Sequence, residues 1–187
     1  RSSDLKSSAR AAVSSAMHDL HARKAGLPLH KLWGLSADAS PLSSFTIAID
    51  DVEGLRRRVS DAAEYPILKI KLGTDRDEEI VRTVRDAAPD KVLRVDANAA
   101  WSPQQAIERA AMLRDNGVES LEQPVAAADV EGMRFVRERC GLPVIADESC
   151  LVAADVPRLA GSCDAINIKL AKCGSLREAI RLVHVAR

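Results

Sequence analysis

The feature that most restricts the fold of this chain is a repeated alternation of short apolar runs with helical segments. The runs predicted as strands span residues 45–49, 67–72, 92–95, 118–121, 144–146 and 165–170. Helices are predicted between them, and one has a clear start at Ser102, Pro103 and Gln105, the residue types of a capped helix. Strands that alternate with helices predict βαβ units and a parallel sheet. Six such units fit either a doubly wound sheet or a (β/α) barrel.

Charge and composition exclude several classes of partner. The 187 residues carry 27 basic and 27 acidic side chains, a formal net charge of +0, which argues against a nucleic-acid partner. No apolar run approaches the roughly 18–20 residues of a membrane span, and residues 1–10 lack the apolar stretch of a signal peptide. The four cysteines form no C-x-x-C pair, so a structural zinc site is not expected. We therefore expect a cytoplasmic protein without nucleic-acid or membrane partners.

Charged side chains recur at the ends of the predicted strands. Successive steps of 25, 26, 25 and 22 residues separate Lys71, Asp96, Glu122, Asp147 and Lys169. One βα unit returns the chain to the same end of a barrel, so this period places one charged side chain per strand around one mouth. In TIM barrels, the mouth at the C-terminal ends of the strands carries the active site. Any single member of the set is also compatible with a solvated charge at the start of a loop, and the regular spacing is what favours a shared site.

Three of these strand-end residues are carboxylates, and carboxylates that converge on one point need a cation. An all-oxygen set suits Mg²⁺, with Mn²⁺ as a second choice. Lys69 and Lys71 are two residues apart and share a face of their strand. We expect these two lysines and Lys169, on the sixth strand, to flank the metal from opposite sides.

Five strings of residues resemble the enolase superfamily, specifically its muconate lactonizing enzyme subgroup. They are L-K-I-K-L-G (68–73), V-D-A-N-A-A-W (95–101), L-E-Q-P (121–124), I-A-D-E-S (145–149) and I-N-I-K-L-A-K-C-G (166–174). The resemblance implies an α/β fold, a partial TIM-like (β/α)₇β barrel with about six βα units present. It also implies that residues 1–187 are a truncated catalytic barrel domain of the C-terminal type, without the capping domain and the last barrel strands.

The same resemblance implies roles for individual residues. Lys71 and Lys169 would be the catalytic acid and base on opposite faces of a substrate that loses the proton alpha to its carboxylate. Lys69 and Asn98 would lie just behind them, and the like charge of Lys69 is expected to lower the pKa of Lys71. The implied Mg²⁺ ligands are Asp96, Glu122 and Asp147.

Two lysines on opposite faces permit a 1,1-proton transfer, which is racemisation or epimerisation. The string at 168–174 is most similar to dipeptide epimerases of the L-Ala-D/L-Glu type, which implies a dipeptide as the small carboxylate substrate and a homo-oligomer for the full-length enzyme. Ser175 and the Ala99–Ala100 pair depart from the commoner pattern. Two alternatives share the metal and the lysines: o-succinylbenzoate synthase or N-succinylamino acid racemase, and muconate cycloisomerase. An alternative of another class is an inactive barrel fragment or scaffold half, and we expect the 187-residue chain alone to have little or no epimerase activity.

Overall fold

A computed structural model describes residues 2–187 of the chain, with side chains from residue 6 onward. The chain forms two compact units. The larger unit, called here the sheet unit, consists of Leu42–Cys150 and Pro157–Asn167. The smaller, helical unit consists of the residues up to Pro41 together with Leu151–Val156 and Ile168–Arg187.

The sheet unit contains six parallel strands that are hydrogen-bonded in the order of the sequence. They are β1 (Ser44–Ile47), β2 (Ile67–Lys71), β3 (Val92–Asp96), β4 (Val118–Glu122), β5 (Val144–Ala146) and β6 (Ala165–Ile166). A doubly wound sheet would reverse its strand order at a switch point, and no reversal occurs between β1 and β6. Of the two architectures compatible with the alternation, the structure therefore has the barrel type, and the predicted α/β fold is confirmed.

Four helices connect successive strands from β1 to β5. They are α3 (Val52–Asp61), α4 (Asp77–Ala87), α5 (Pro103–Asp115) and α6 (Val130–Arg139). The predicted capped start of α5 is confirmed: the Ser102 hydroxyl accepts a bond from the Gln105 amide, and the Gln105 side chain accepts one from the Ser102 amide. Alternate strand residues such as Leu68 and Ile70 are completely buried. The intervening positions of β2 are Lys69 and Lys71, so the two faces of this strand differ in chemistry.

The register of the strands explains the uneven step in the charge spacing. Leu93 pairs with Val118, but Arg94 pairs with Ser120, because β4 carries one extra residue at this irregularity. The extra residue keeps Asp96 opposite Glu122 although they are 26 residues apart, whereas Lys71 and Asp96, 25 residues apart, pair without a shift.

The helical unit contains α1 (Ser2–Lys24), α2 (Leu29–Leu32), α7 (Leu170–Cys173) and α8 (Leu176–Ala186). Short 3₁₀ helices cover Ala37–Ala39 in this unit and Ala153–Leu159 across its boundary. The predicted sixth strand, 165–170, is too long. β6 ends at Ile166, the amide of Asn167 makes one more bond to the carbonyl of Ala146, and the chain then turns into α7 at Leu170. Gly174, with a φ of 82°, ends α7, and the Ser175 hydroxyl caps α8. Within residues 2–187, no helix combines the length and apolar character needed to cross a membrane.

Candidate metal centre

The candidate site lies at the C-terminal ends of the sheet strands. Parallel pairing places Lys71 beside Asp96 and Asp96 beside Glu122. Glu122 pairs with Ile145, and Asp147 follows Ile145 by two residues, so it faces the same side. The side chains of Asp96 and Asp147 are fully buried and Glu122 is only 7% exposed. Strand register therefore gathers three buried carboxylates at one edge of the sheet.

The geometry of these carboxylates suits a divalent cation. Each of the three offers an oxygen, and these oxygens all lie within 4.8 Å of one another. Oxygens bound to one Mg²⁺ at about 2.1 Å are up to about 4.2 Å apart, so side-chain adjustments of under an ångström bring all three to one ion. Three hard oxygen donors without nitrogen or sulfur favour Mg²⁺ or Mn²⁺ over zinc or copper.

Two lysines of β2 are ion-paired with these carboxylates. The Nζ atom of Lys69 lies 2.8 Å from Oδ2 of Asp96 and 2.7 Å from Oε1 of Glu122. The Nζ atom of Lys71 lies 2.7 Å from the same Asp96 oxygen and donates a 2.7 Å hydrogen bond to Oδ1 of Asn98. The Lys71 side chain is 28% exposed and that of Lys69 is 15% exposed. Lys69 is therefore the more enclosed of the pair, and Lys71 is the one that solvent reaches more easily.

Burial and charge shift the pKa values of this cluster in opposite directions. Burial raises the pKa of Glu122 above its usual range, the neighbouring Asp96 adds to this, and hydrogen bonds from Lys69 and Asn167 only partly offset it. Burial also acts to raise the pKa of Asp96, but hydrogen bonds from Lys69 and Lys71 outweigh it, so that pKa is lowered. Burial acts to lower the pKa of Lys69, and its bonds to Asp96 and Glu122 outweigh burial and raise it. Such opposed shifts in one cluster are typical of functional sites.

Amide side chains extend the cluster beyond the charged groups. Asn98 donates from its own backbone amide to Oδ1 of Asp96 and from its side chain to Oε1 of Glu148. Its φ of 45° lies in the left-handed region, which asparagine tolerates better than most residues. Asn167, just after β6, donates a 2.7 Å bond to Oε1 of Glu122. These contacts hold the oxygens of two of the carboxylates in fixed directions.

Six of the seven side chains named from the sequence come together in the sheet unit. Lys169, the seventh, belongs to the helical unit, three residues beyond the end of β6, where its extended backbone precedes α7. The individual roles of all seven remain predictions. Sequence reasoning assigned no role to Gln123, Glu148 or Asn167. Gln123 and Glu148 each follow a predicted metal ligand directly, and Asn167 lies two residues before Lys169, a predicted acid/base. An amide or carboxylate this close to a predicted site residue is the signal that was available.

Comparison with known proteins places this arrangement among enolase-like barrels. The family profile described as Enolase C-terminal domain-like matches residues 51–187. An L-Ala-D/L-amino acid epimerase from Maribacter sp. is 42% identical over 184 residues, which cover 98% of this chain and 54% of that protein.

Solved structures give the same picture. A dipeptide epimerase from Enterococcus faecalis V583, complexed with Mg and the dipeptide L-Leu-L-Tyr, matches with a TM-score of 0.90 and 36% identity over 96% of this chain and 52% of that one. Muconate cycloisomerase from Pseudomonas fluorescens matches with a TM-score of 0.84 and 28% identity over 92% of this chain and 50% of that one. The chain thus spans about half the length of the proteins it matches.

Proposed function

The chain belongs to the enolase C-terminal domain-like family, and from this premise we propose that it carries out metal-dependent epimerisation of a dipeptide. The observation that carries the proposal is the cluster of three buried carboxylates with a lysine pair at one sheet edge. Asp96, Glu122 and Asp147 would hold one Mg²⁺. When bound, such an ion stabilises the negative charge that develops on a substrate carboxylate as the neighbouring proton leaves.

Lys71 is proposed to remove or return the alpha proton on one face of the substrate. As a base, its neutral Nζ takes the proton, the bond between carbon and hydrogen breaks, and the electron pair is delocalised into the carboxylate. Its 28% exposure leaves room for a substrate to approach. Lys69 would stay bonded to Asp96 and Glu122, 2.8 and 2.7 Å away, and hold both oxygens in place.

Lys169 is proposed to act on the opposite face. It would protonate the carbon from the other side as an ammonium group and become the base in the reverse direction. Two independent acid/base groups on two faces give inversion at the alpha carbon, and this is what distinguishes epimerisation from simple exchange.

A dipeptide is the proposed substrate because the epimerase from Maribacter sp. is 42% identical to the chain, against 28% for muconate cycloisomerase. We propose in addition that residues 1–187 form a truncated catalytic barrel domain, to which a capping domain and further strands belong. A homo-oligomer, to be measured by light scattering, completes the proposal. A cytoplasmic location, to be measured by cell fractionation, is consistent with the free thiols Cys140, Cys163 and Cys173.

Exchange of the alpha proton in D₂O tests the function. The full-length protein is incubated with L-Ala-L-Glu and Mg²⁺, and loss of the alpha-proton signal is followed by NMR. We expect Mg²⁺-dependent exchange and formation of the epimer in the wild type. Lys71→Ala and Lys169→Ala are each expected to abolish epimerisation, whereas Lys31→Ala, at an exposed position in α2, retains it. Unchanged turnover in either of the first two variants would contradict the two-base mechanism, and no exchange in the wild type would favour the inactive-scaffold alternative.

A further inference from the structure

Gln123 is a buried amide for which the proposed chemistry has no use. It follows Glu122 directly, and its side chain is completely buried. Its backbone φ is 36°, in the left-handed region that a non-glycine residue seldom adopts. Such a conformation persists where the surrounding contacts determine it, and it concentrates at functional sites. The partners of this amide therefore show what it does.

The side chain of Gln123 is fully satisfied by the loops on either side of it. Its Oε1 accepts from the backbone amides of Asp147 and Ser149, at 2.9 and 3.1 Å. Its Nε2 donates to the carbonyl of Val125 and the hydroxyl of Ser149, at 2.8 and 2.9 Å. A carboxamide has two donor hydrogens and one acceptor oxygen with two lone pairs, so all four positions are used. One of these bonds ends on the backbone of a proposed metal ligand.

The backbone of Gln123 joins two further strand ends. Its amide donates 2.8 Å to the carbonyl of Ile145 in β5, and its carbonyl accepts 2.8 Å from the amide of Ala99, in the loop after β3. One residue therefore ties together the ends of β3, β4 and β5, which carry the three carboxylates.

We infer that Gln123 is a positioning residue that sets the spacing of the three carboxylates by fixing the backbone of Asp147. This inference rests on the proposed function, because it takes the carboxylates to be ligands of a divalent cation. Gln123 acts through Asp147 and contacts no reacting atom. Outer groups that orient metal ligands change metal affinity by about 10- to 100-fold when they are removed.

The inference is tested by comparing the metal affinity of a Gln123 variant with that of a control variant that is destabilised elsewhere. In Gln123→Met the side chain keeps its length and loses all four hydrogen-bonding positions. Metal-free protein is titrated with Mn²⁺, and the free ion is measured by electron paramagnetic resonance. We expect affinity to fall by about 10- to 100-fold in Gln123→Met. Ser149→Ala removes one partner of the amide and leaves the bond to Asp147, so its loss should be smaller. Val136→Ala, a truncation at a fully buried position of α6, lowers stability away from the carboxylates and should bind Mn²⁺ as the wild type does.

Amide hydrogen exchange gives a second readout that needs no metal. In metal-free protein, peptides covering residues 145–150 should exchange faster in Gln123→Met than in Val136→Ala. If the wild type binds Mn²⁺ and Gln123→Met binds it equally well, the inference alone is overturned. Equal weakening by Val136→Ala also overturns it, because the loss then follows stability. A wild type that binds no Mn²⁺ overturns the proposed metal centre and the inference with it, even if the exchange pattern is as expected.

Discussion

Lysines at the two ends of the parallel strands, called here the C-terminal and N-terminal edges of the sheet, bond to different kinds of group. At the C-terminal edge, Lys69 and Lys71 are bonded to buried carboxylates. At the N-terminal edge, the Nζ atom of Lys91 donates to three backbone carbonyls in the turn just after α3, those of Ala62, Ala63 and Tyr65, at 2.5 to 2.9 Å. The C-terminal end of a helix carries a partial negative charge that favours a cation nearby. Lys91 therefore stabilises the backbone of this turn.

Arginines at the N-terminal edge also donate to backbone carbonyls. Arg85 donates to the carbonyls of Asn116 and Gly117, at 2.8 and 3.2 Å, just before β4. Arg114 donates to the carbonyl of Cys140, at the end of α6. Before β6 an ion pair takes this place, between Nε of Arg137 and Oδ1 of Asp164, 2.7 Å apart. We take the contacts at the N-terminal edge to serve stability and the carboxylate cluster at the C-terminal edge to serve the proposed chemistry, the division that the barrel architecture leads one to expect.

The largest expected effect is on the metal, from Glu122→Gln. Loss of a proposed ligand should reduce Mn²⁺ affinity by more than the roughly 100-fold that loss of an outer partner costs at most. The free energy of unfolding of the metal-free protein, measured in EDTA, should change little. Burial and the neighbouring Asp96 already raise the pKa of Glu122, so its charged form is disfavoured in the wild type. Mn²⁺ titration and thermal unfolding measure the two quantities. If Glu122→Gln binds Mn²⁺ as tightly as the wild type, the C-terminal edge is not the metal centre.

The reverse pattern is expected at the N-terminal edge, from Lys91→Met. Hydrogen bonds to charged groups contribute about 1.5–3 kcal/mol each, but only the bond to the Ala62 carbonyl is partly buried, and water can replace the donor at the two exposed carbonyls. We therefore expect about 2 kcal/mol less stability in urea unfolding. Lys31→Met, at an exposed site, is the control and should change little. The Mn²⁺ affinity of Lys91→Met should match that of the wild type. A loss of affinity together with the loss of stability would show that the two edges do not have separate roles.

A smaller loss of stability is expected for Gly117→Ala. Gly117 has a φ of +63°, and an added Cβ would lie 3.3 Å from a guanidinium nitrogen of Arg85. The left-handed conformation costs a residue with a Cβ roughly 1–2 kcal/mol. Gly161→Ala is a matched control, because Gly161 has a φ of +77° and open space around it. The difference between the two variants in urea unfolding isolates the contact with Arg85, and a greater loss in Gly161→Ala would argue against that contact.

The smallest expected effect is a pH dependence specific to the C-terminal edge. The pKa of Asp96 is lowered in the folded protein, so its stabilisation is complete above its ordinary value of 3.8 and is lost as the pH falls through the lowered value. In EDTA, the stability of the wild type relative to Asp96→Asn should therefore stay level above about pH 5 and decline below about pH 4. Urea unfolding across this range measures it. Curves that remain parallel would show that Asp96 keeps the same pKa in both states.

Periodicity in the sequence predicted the sheet and the gathering of charge, but not the contacts that fix it. Strand spacing brings Lys71, Asp96 and Glu122 into register, because parallel strands repeat at each βα unit. The bonds of Gln123 depend on a left-handed backbone and on the path of three loops, which no spacing rule encodes. The sixth strand was predicted too long because apolar residues alternate with polar ones up to Leu170, which is the first residue of α7, whereas β6 ends at Ile166.

The anomalous scattering of a crystal soaked in Mn²⁺ tests the central claim most directly. The account predicts one strong peak within bonding distance of carboxylate oxygens of Asp96, Glu122 and Asp147. It predicts no peak beside Lys91 or Arg85 at the opposite edge of the sheet. A peak held by other residues, or no peak between these carboxylates at saturating Mn²⁺, would contradict it.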